Sequence, residues 1–154
     1  MTRAAVLTVS TSLAREGGED VSGSELVRLC EEAGLEVVHE LLPDDRGAIA
    51  AALERLADGG CRFVFTTGGT GLTPDDVTPE ATLDVIDREA PGFAEAIRVE
   101  SREHTPLGIL TRGVSGVRGR TLIVNFPGSP RAIGQSWPVV APTLKHAAQT
   151  LERG

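Results

Sequence analysis

The chain has few aromatic residues and few cysteines, and both shortages restrict what it can be. Aromatic side chains make up 3% of its 154 residues and tyrosine is absent, so the core must consist mainly of valine, leucine, isoleucine and alanine. The two cysteines, Cys30 and Cys61, lie within apolar patterns, which is typical of buried free thiols. The three histidines have no ligand spacing with the cysteines, which argues against a zinc site.

Basic charge and long apolar runs are also scarce. The chain has 15 basic and 22 acidic residues and a net charge of −7, which argues against broad nucleic-acid binding and against an anionic membrane surface. No apolar run is long enough to span a membrane, and the N-terminal segment is too short and interrupted for a signal peptide. We therefore expect a cytoplasmic protein with no nucleic-acid or membrane partner. A phosphorylated ligand is still allowed, because it needs only a local cradle.

The remaining composition is that of a globular protein, with 40% apolar and 24% charged residues. This length predicts one domain over residues 1–154. Short apolar segments alternate with amphipathic helical patterns, and the segments fall at 4–9, 35–42, 61–67 and 121–125. Such alternation predicts an α/β fold with a mostly parallel sheet and right-handed crossovers.

Local patterns add three further predictions. Residues 10–21 are polar and contain glycine, which predicts a loop. Ser22 and Glu25 have capping-box spacing, which predicts that Ser22 is the N-cap of the next helix. The segment 107–118 predicts a small hairpin that turns at Arg112 and Gly113.

Four polar loops follow the predicted strands. In an open parallel sheet, ligands bind beyond the carboxyl ends of the strands. All four loops are rich in serine, threonine, aspartate, glycine or proline, and they are residues 10–12, 43–45, 68–76 and 125–129. Together they predict a binding edge more strongly than any one of them does.

The third loop is the most informative stretch of the chain. Three glycines, Gly68, Gly69 and Gly71, precede a pair of aspartates and a helix start with proline at its first position. One interpretation is a tight turn that requires positive φ angles. The other is an anion cradle of backbone N–H groups, although the spacing matches neither standard phosphate-binding motif.

Each candidate carboxylate has two interpretations. Asp76 is either an exposed side chain near a helix N-terminus or an acceptor for the N–H edge of a heterocycle. Asp44 is either part of an ordinary turn or a ligand for Mg²⁺, which prefers oxygen donors. The neighbouring Asp45 has the pattern of an N-cap for the following helix.

The last loop and the arginines are equally open. Pro127, Gly128 and Ser129 either separate a strand from a helix or bind a phosphate. Arg112 and Arg131 either pair with ligand phosphates or are solvated. Packing is the expected role of Phe126 and Trp137.

Three segments carry a family resemblance: TGGTG at 67–71, DVTPEAT at 76–82 and NFPGSP at 125–130. They resemble the MogA/MoaB family of molybdenum cofactor biosynthesis, and the likeness covers nearly the whole chain. The resemblance implies a molybdopterin-binding-domain fold, a three-layer α/β/α domain with helices on both faces of a mostly parallel sheet. It also implies a homotrimer or a dimer of trimers.

The resemblance further implies Mg-ATP-dependent adenylylation of molybdopterin with release of pyrophosphate, followed by hand-over to a molybdenum-insertion protein. The substrates would be molybdopterin and ATP, with Mg²⁺ as cofactor. Alternatives are a non-catalytic, MoaB-like molybdopterin-binding protein or scaffold, a CinA-like nucleotide hydrolase relative, and an α/β domain with another small ligand. Members of the CinA-like family are normally much longer.

The resemblance also implies residue roles. Asp44 would support Mg²⁺ and the transferred phosphoryl group, and Asp76 would hold the pterin; these two would be the catalytic residues. Further substrate-binding residues would be Ser10, Ser22, Gly68, Gly69, Thr70, Gly71, Thr78, Thr111, Arg112, Asn125, Pro127, Gly128 and Ser129. One loop departs from the family: residues 10–12 read STS where relatives often carry Ser-Asp-Arg. The Pro43-Asp44 pair is present, which favours the catalytic branch.

Overall fold

The computed structural model describes residues 1–153, which form a six-stranded sheet with helices on both faces. The strands are β1 (Arg3–Val9), β2 (Glu36–Leu42), β3 (Phe63–Thr67), β4 (Arg88–Glu89), β5 (Ser115–Arg118) and β6 (Thr121–Phe126). The α-helices are α1 (Thr11–Glu16), α2 (Val21–Glu32), α3 (Arg46–Asp58), α4 (Thr78–Val85), α5 (Gly92–His104), α6 (Pro130–Val140) and α7 (Leu144–Leu151). Short 3-10 helices occupy Pro106–Leu110 and Ala141–Thr143.

The strand order is β2-β1-β3-β6-β5-β4. The first four strands in this order pair in parallel, while β5 pairs antiparallel with both β6 and β4. The carboxyl ends of β1, β2, β3 and β6 therefore lie at one edge of the sheet, as the loop composition predicted. The prediction of an α/β fold with a mostly parallel sheet is confirmed. The exception to parallel pairing is β5, which runs antiparallel to both of its neighbours.

The core has two layers, one on each face of the sheet. On one face, α2, α5, α6 and α7 cover a cluster that contains most of the aromatic side chains. The Phe65 ring meets Phe126 and Trp137 edge-on, with centroid distances of 5.7 and 5.6 Å. On the other face, α3 and α4 cover a smaller aliphatic cluster. The packing roles of Phe126 and Trp137 and the three-layer arrangement are thus confirmed.

Both cysteines are buried free thiols, as predicted. Burial raises the pKa of the Cys30 thiol to about 12 and also raises the pKa of the Cys61 thiol. Both groups are therefore neutral at physiological pH and behave as small apolar side chains.

Two predictions for residues 10–25 are wrong. Thr11–Glu16 is a short helix rather than a loop, because the Ser10 hydroxyl caps it by accepting a hydrogen bond from the Leu13 N–H. Ser22 is not the N-cap of α2, since Asp20 takes that position and accepts a 2.9 Å hydrogen bond from the Gly23 N–H. The carboxylate of Glu25 pairs with Arg28 instead of completing a capping box.

The hairpin prediction for 107–118 is also wrong. Its first half is the 3-10 helix Pro106–Leu110, which the Thr105 side chain caps at the Leu107 N–H. The real hairpin joins β5 to β6 and turns at Gly119, whose φ of 57° suits glycine. Among residues 1–153, no helix is long and apolar enough to cross a membrane.

Candidate functional site

The loops at the carboxyl edge of the sheet touch one another through their backbones. A Cβ atom on Gly68 would collide with the Val9 carbonyl oxygen at the end of β1. A Cβ on Gly128 would lie 3.3 Å from the Gly68 Cα. The Thr67 hydroxyl donates a 2.8 Å hydrogen bond to the Pro127 carbonyl. Glycine is therefore required where the loops after β1, β3 and β6 meet.

The glycine loop is a tight turn that approaches two oxygen atoms. Gly68 and Gly69 have φ angles of 99° and 69°, which is the conformation expected from the tight-turn interpretation. A Cβ on Gly69 would collide with the Thr78 hydroxyl and lie 3.2 Å from Asp44 Oδ1. The Thr78 hydroxyl is buried and has no hydrogen-bond partner within the described part of the chain. The turn thus brings a backbone segment against one carboxylate oxygen and one unpaired hydroxyl.

Asp44 is held through one of its two oxygens. Its Oδ2 accepts a 3.0 Å hydrogen bond from the Thr11 N–H and a 2.7 Å hydrogen bond from the Thr11 hydroxyl. The Asp44 N–H in turn donates a 2.9 Å hydrogen bond to the Thr11 hydroxyl oxygen. Asp44 Oδ1 accepts no hydrogen bond from residues 1–153 and faces Gly69. The predicted N-cap role of Asp45 is confirmed by a 2.9 Å hydrogen bond from the Ala48 N–H.

Asp76 is half-buried beside the same loop. Its Oδ2 accepts hydrogen bonds from the Thr73 N–H at 3.0 Å and from the Thr73 hydroxyl at 2.8 Å. A Cβ on Gly71 would lie 2.8 Å from this oxygen, so the carboxylate is folded against the loop. Asp76 Oδ1 accepts no hydrogen bond from any part of the chain that the structure describes.

Arg112 fastens the glycine loop to α4. Its Nε donates to the Gly71 carbonyl at 2.8 Å and its Nη2 to the Asp76 carbonyl at 2.7 Å. Both Nη atoms also donate to the Glu80 carboxylate, at 2.7 and 3.1 Å. This ion pair lowers the pKa of Glu80 and raises the pKa of Arg112. Arg112 is thus neither a solvated side chain nor an unengaged phosphate ligand, because the protein itself uses most of its donors.

Thr70 and Thr111 lie on either side of that fastening. The Thr70 carbonyl accepts a 2.8 Å hydrogen bond from the Arg112 N–H. The Thr111 hydroxyl donates to the Thr70 hydroxyl at 3.2 Å. The segment containing Thr111 and Arg112 therefore runs alongside the glycine loop although it lies about forty residues later in the chain.

The Asn125 side chain is buried and hydrogen-bonds to neighbouring elements, instead of lying exposed in a loop. Its Oδ1 accepts a 3.1 Å hydrogen bond from the Val114 N–H. Its Nδ2 donates to the hydroxyls of Thr66 and Thr82, at 3.0 and 3.1 Å. The side chain thus joins β6, β3 and α4, and it has no polar atom left for a ligand.

The three predicted serines lie in different settings. Ser10 and Ser129 are N-caps of α1 and α6, and the Ser129 hydroxyl accepts a 3.1 Å hydrogen bond from the Ala132 N–H. Ser22 lies in the first turn of α2 and makes no hydrogen bond to the loops within residues 1–153. The structure therefore brings Ser10 and Ser129 to the carboxyl edge of the sheet, while no hydrogen bond within residues 1–153 joins the Ser22 side chain to the glycine loop.

A cavity of about 300 Å³ opens between α6 and the 3-10 helix Pro106–Leu110. Thr111, Pro127 and Ser129 line it, so three predicted residues meet there. An adjoining cavity of about 380 Å³ shares Ser129 and adds His104 and Arg131. Sequence reasoning did not find Thr105 and Gln135, which line both cavities. The available signal for Gln135 was the three-residue spacing along Ser129, Ala132 and Gln135.

Comparison with known proteins supplies the assignment. Residues 5–146 match the family model described as "Probable molybdopterin binding domain". The chain belongs to this molybdopterin-binding-domain family.

Similar members of this family come from animals and bacteria. A Drosophila melanogaster protein named molybdenum cofactor synthesis protein cinnamon is 37% identical over 95% of this chain, which spans 25% of that protein's length. A Helicobacter pylori protein named molybdopterin adenylyltransferase is 35% identical over 95% of this chain and 85% of its own length. The chain thus covers most of the bacterial relative but only a quarter of the insect one.

The fold agrees with solved structures of the family. The molybdopterin biosynthesis enzyme MoaB of Thermus thermophilus is 42% identical, with a TM-score of 0.92 over 100% of this chain and 98% of that one. A CinA protein of Thermoplasma acidophilum is 18% identical with a TM-score of 0.64, a likeness that concerns the fold alone.

For a molybdopterin-binding domain, the donor set at the edge of the sheet limits how a metal can bind. Residues 1–153 contain no group of three histidine, cysteine, aspartate or glutamate side chains that could hold a metal ion. The candidate donors are the oxygens of Asp44 and Thr78, which are hard ligands of the type that Mg²⁺ prefers. In such a site, water or phosphate oxygens complete the six-fold coordination.

Proposed function

We propose that the protein is a molybdopterin adenylyltransferase of molybdenum cofactor biosynthesis, which uses Mg-ATP and releases pyrophosphate. The name of the Helicobacter pylori relative gives this reaction class. The observation that carries the proposal is the open Oδ1 of Asp44, which lies beside the glycine turn and near the unpaired Thr78 hydroxyl.

Asp44 Oδ1 and the Thr78 hydroxyl fit a divalent cation that also contacts phosphate. A buried hydroxyl without a partner is costly in a folded protein, so a ligand that satisfies it is favoured. When bound there, Mg²⁺ would supply positive charge between two polyanionic substrates. The protein contributes only one carboxylate, which leaves coordination positions for substrate oxygens.

The reaction we propose requires no nucleophile from the protein. A phosphate oxygen of molybdopterin attacks the α-phosphorus of ATP and forms a new P–O bond. The bond from the α-phosphorus to the bridging oxygen breaks, and pyrophosphate leaves with that oxygen. The protein's task is then to position the reactants and to stabilise charge. Backbone N–H groups of Gly68 to Gly71 and of the Pro127–Ser129 loop would bind phosphate oxygens.

Asp76 is proposed to hold the pterin through Oδ1. An open carboxylate oxygen on a half-buried side chain is suited to the N–H edge of a heterocycle. The cavity of about 300 Å³ that Thr111 and Ser129 line is large enough for a small ligand. Thr70, Thr111, Ser10 and Ser22 complete the proposed binding set, while Arg112 and Asn125 would act by holding the loops in place.

We further propose that the protein is a cytoplasmic homotrimer, or a dimer of trimers, that passes its product to a molybdenum-insertion protein. Exposed apolar side chains on α5, on the 3-10 helix Pro106–Leu110 and in the glycine loop support self-association. These side chains belong to residues that are at least 43% exposed, and they are Leu72, Val99, Leu107, Ile109 and Leu110. Sedimentation of the wild type as a monomer would contradict the trimer.

The function is tested with two single substitutions in an assay for adenylylated molybdopterin. We expect Asp44→Ala to keep molybdopterin binding and to lose adenylyl transfer with ATP and Mg²⁺. We expect Asp76→Ala to weaken molybdopterin binding in a fluorescence titration, whereas Asp75→Ala, the exposed neighbour, serves as the control. Wild-type turnover in Asp44→Ala would refute the metal role, and wild-type affinity in Asp76→Ala would refute the pterin role.

A second candidate function is molybdopterin binding without transfer. The departure at residues 10–12 favours it. The same assay separates the two functions, because a wild-type protein that binds molybdopterin and forms no adenylylated product belongs to the second.

A further inference from the structure

The two proposed functional carboxylates are held in the same way by two threonines. Thr11 donates its N–H and its hydroxyl to Oδ2 of Asp44, at 3.0 and 2.7 Å. Thr73 donates its N–H and its hydroxyl to Oδ2 of Asp76, at 3.0 and 2.8 Å. In both pairs, one carboxylate oxygen carries two donors and the other carries none within residues 1–153. Two separate loops thus repeat one arrangement.

This arrangement makes the two oxygens of each carboxylate unequal. A free aspartate turns readily about its terminal torsion, so either oxygen can face a ligand. Two donors on Oδ2 oppose that rotation, because turning the carboxylate breaks a hydrogen bond to a charged group. Oδ1 of Asp44 is then kept beside Gly69, and Oδ1 of Asp76 is kept open.

The threonines reach their partners by different routes. Thr73 is three residues before Asp76, and the Asp76 N–H also donates to the Thr73 carbonyl at 3.1 Å, which closes a turn with Pro74 at its second position. Thr11 lies at the start of α1 and reaches Asp44 from the neighbouring strand loop, thirty-three residues away. The two hydrogen bonds from Thr11 to Asp44 therefore depend on β1 and β2 lying side by side.

We infer that Thr11 and Thr73 are positioning residues, the first for the oxygen of Asp44 that meets the metal and the second for the oxygen of Asp76 that meets the pterin. This inference rests on the proposed function. Neither hydroxyl contacts a reacting atom in the proposed reaction. Each acts through its aspartate, so each loss has its own expected consequence.

The variants are Thr11→Val and Thr73→Val, in which a methyl group replaces the hydroxyl and the backbone N–H is kept. Thr73→Val loses one hydrogen bond to a carboxylate, whereas Thr11→Val loses one to a carboxylate and also the one that its hydroxyl accepts from the Asp44 N–H. Loss of a hydrogen bond to a charged group is expected to cost about tenfold in the property that it supports. For Thr11→Val, the half-saturating Mg²⁺ concentration rises about tenfold while molybdopterin affinity is unchanged. For Thr73→Val, molybdopterin affinity falls about tenfold while the Mg²⁺ dependence is unchanged. Each variant is the matched control for the other.

Thr11→Ser and Thr73→Ser restore the hydroxyl and are expected to restore the wild-type values. A purely structural role predicts a different result, in which both valine variants shift both properties together with thermal stability. Equal shifts of both properties in either variant, or failure of serine to rescue, would overturn the inference.

A second measurement does not depend on turnover. Mn²⁺ is titrated into the protein alone, and broadening of the Gly69 amide signal is followed by NMR. We expect broadening in the wild type and in Thr11→Ser, and about tenfold less sensitivity to Mn²⁺ in Thr11→Val. Equal broadening in the wild type and Thr11→Val, or none in the wild type, overturns the role of Thr11. A wild type that shows the Mn²⁺ effect but forms no adenylylated molybdopterin refutes the proposed function and leaves the Thr11 inference standing.

Discussion

The carboxylate of Glu80 accepts hydrogen bonds from both Nη atoms of Arg112, while Arg112 Nε holds the carbonyl of Gly71. The ion pair therefore joins the first turn of α4 to the glycine loop. The ion pair is partly exposed, so we expect it to contribute more to holding the glycine loop in place than to the free energy of unfolding.

Replacing Arg112 tests that view. Arg112→Lys keeps the charge but loses the fork that reaches Glu80 and two carbonyls at once. We expect roughly tenfold weaker molybdopterin binding in a fluorescence titration, with a modest loss of thermal stability. Arg46→Lys is the matched control. Arg46 pairs with Asp84, which lies on α4 as Glu80 does, and both side chains of that pair are exposed. Equal effects of the two variants would contradict a specific role for Arg112.

The Glu80 pair also predicts a pH dependence. Arg112 holds the pKa of Glu80 below its ordinary value, so the folded state binds the proton more weakly than the unfolded chain does. The stabilisation is therefore fully present above the unfolded pKa, about 4.3, and is lost as the pH falls through the folded value. Urea denaturation at neutral pH should show Glu80→Gln less stable than the wild type. The difference should shrink in acid, and a gap that stays constant would contradict this origin.

Gly69→Ala should damage both the loop and the site. The φ of 69° is strained for alanine, and the new Cβ would collide with the Thr78 hydroxyl. We expect a loss of stability and of molybdopterin binding, measured by thermal unfolding and by titration. Gly134→Ala is the control, since it lies inside α6 with open space around it and should stabilise by about 0.5–1 kcal/mol. Loss of binding in both variants would contradict a local effect.

Asn125→Ala should cost stability even though no ligand is involved. It leaves the Val114 N–H and the Thr66 and Thr82 hydroxyls without their partner in a buried place. Leaving a buried donor or acceptor unsatisfied costs about 1–3 kcal/mol, which urea denaturation can resolve. Asn125→Asp should be at least as harmful, because the carboxylate cannot donate to the two hydroxyls and places a charge in the core. Wild-type stability of either variant would be inconsistent with this network.

Cys30 and Cys61 should resist thiol reagents in the folded protein. Burial raises both pKa values, that of Cys30 to about 12, so little thiolate forms at moderately alkaline pH. We expect labelling by a disulfide reagent to follow global unfolding, and denaturant should release both thiols together. Rapid labelling of the native protein would show that one of them is accessible.

The sequence predicted the sheet well because local periodicity decides it. Alternating apolar strands and amphipathic helices leave little choice but parallel pairing, and this puts the four loops at one edge. The short helix α1 was missed because a six-residue helix contains too few turns to show a period. Ser22 was misplaced because Asp20, two residues earlier, is an equally good N-cap.

The candidate site was predictable only where its contacts are local. The turn from Thr73 to Asp76 has its signal within four residues. The hydrogen bonds of Asn125, Arg112 and Thr11 join residues that are far apart in the chain, and no local pattern encodes them. The sequence therefore indicated two candidate carboxylates, Asp44 and Asp76, but not which side chains hold them.

The backbone contacts among Val9, Gly68 and Gly128 also bear on how this edge can change in length. The backbones approach one another closely at Gly68 and Gly128, so a residue inserted in one loop would push its neighbours apart. We expect insertions to be tolerated at the turn around Gly119 and excluded from these three loops. Natural length variation, and any engineered fusion or circular permutation, should therefore be accommodated at the opposite end of the strands.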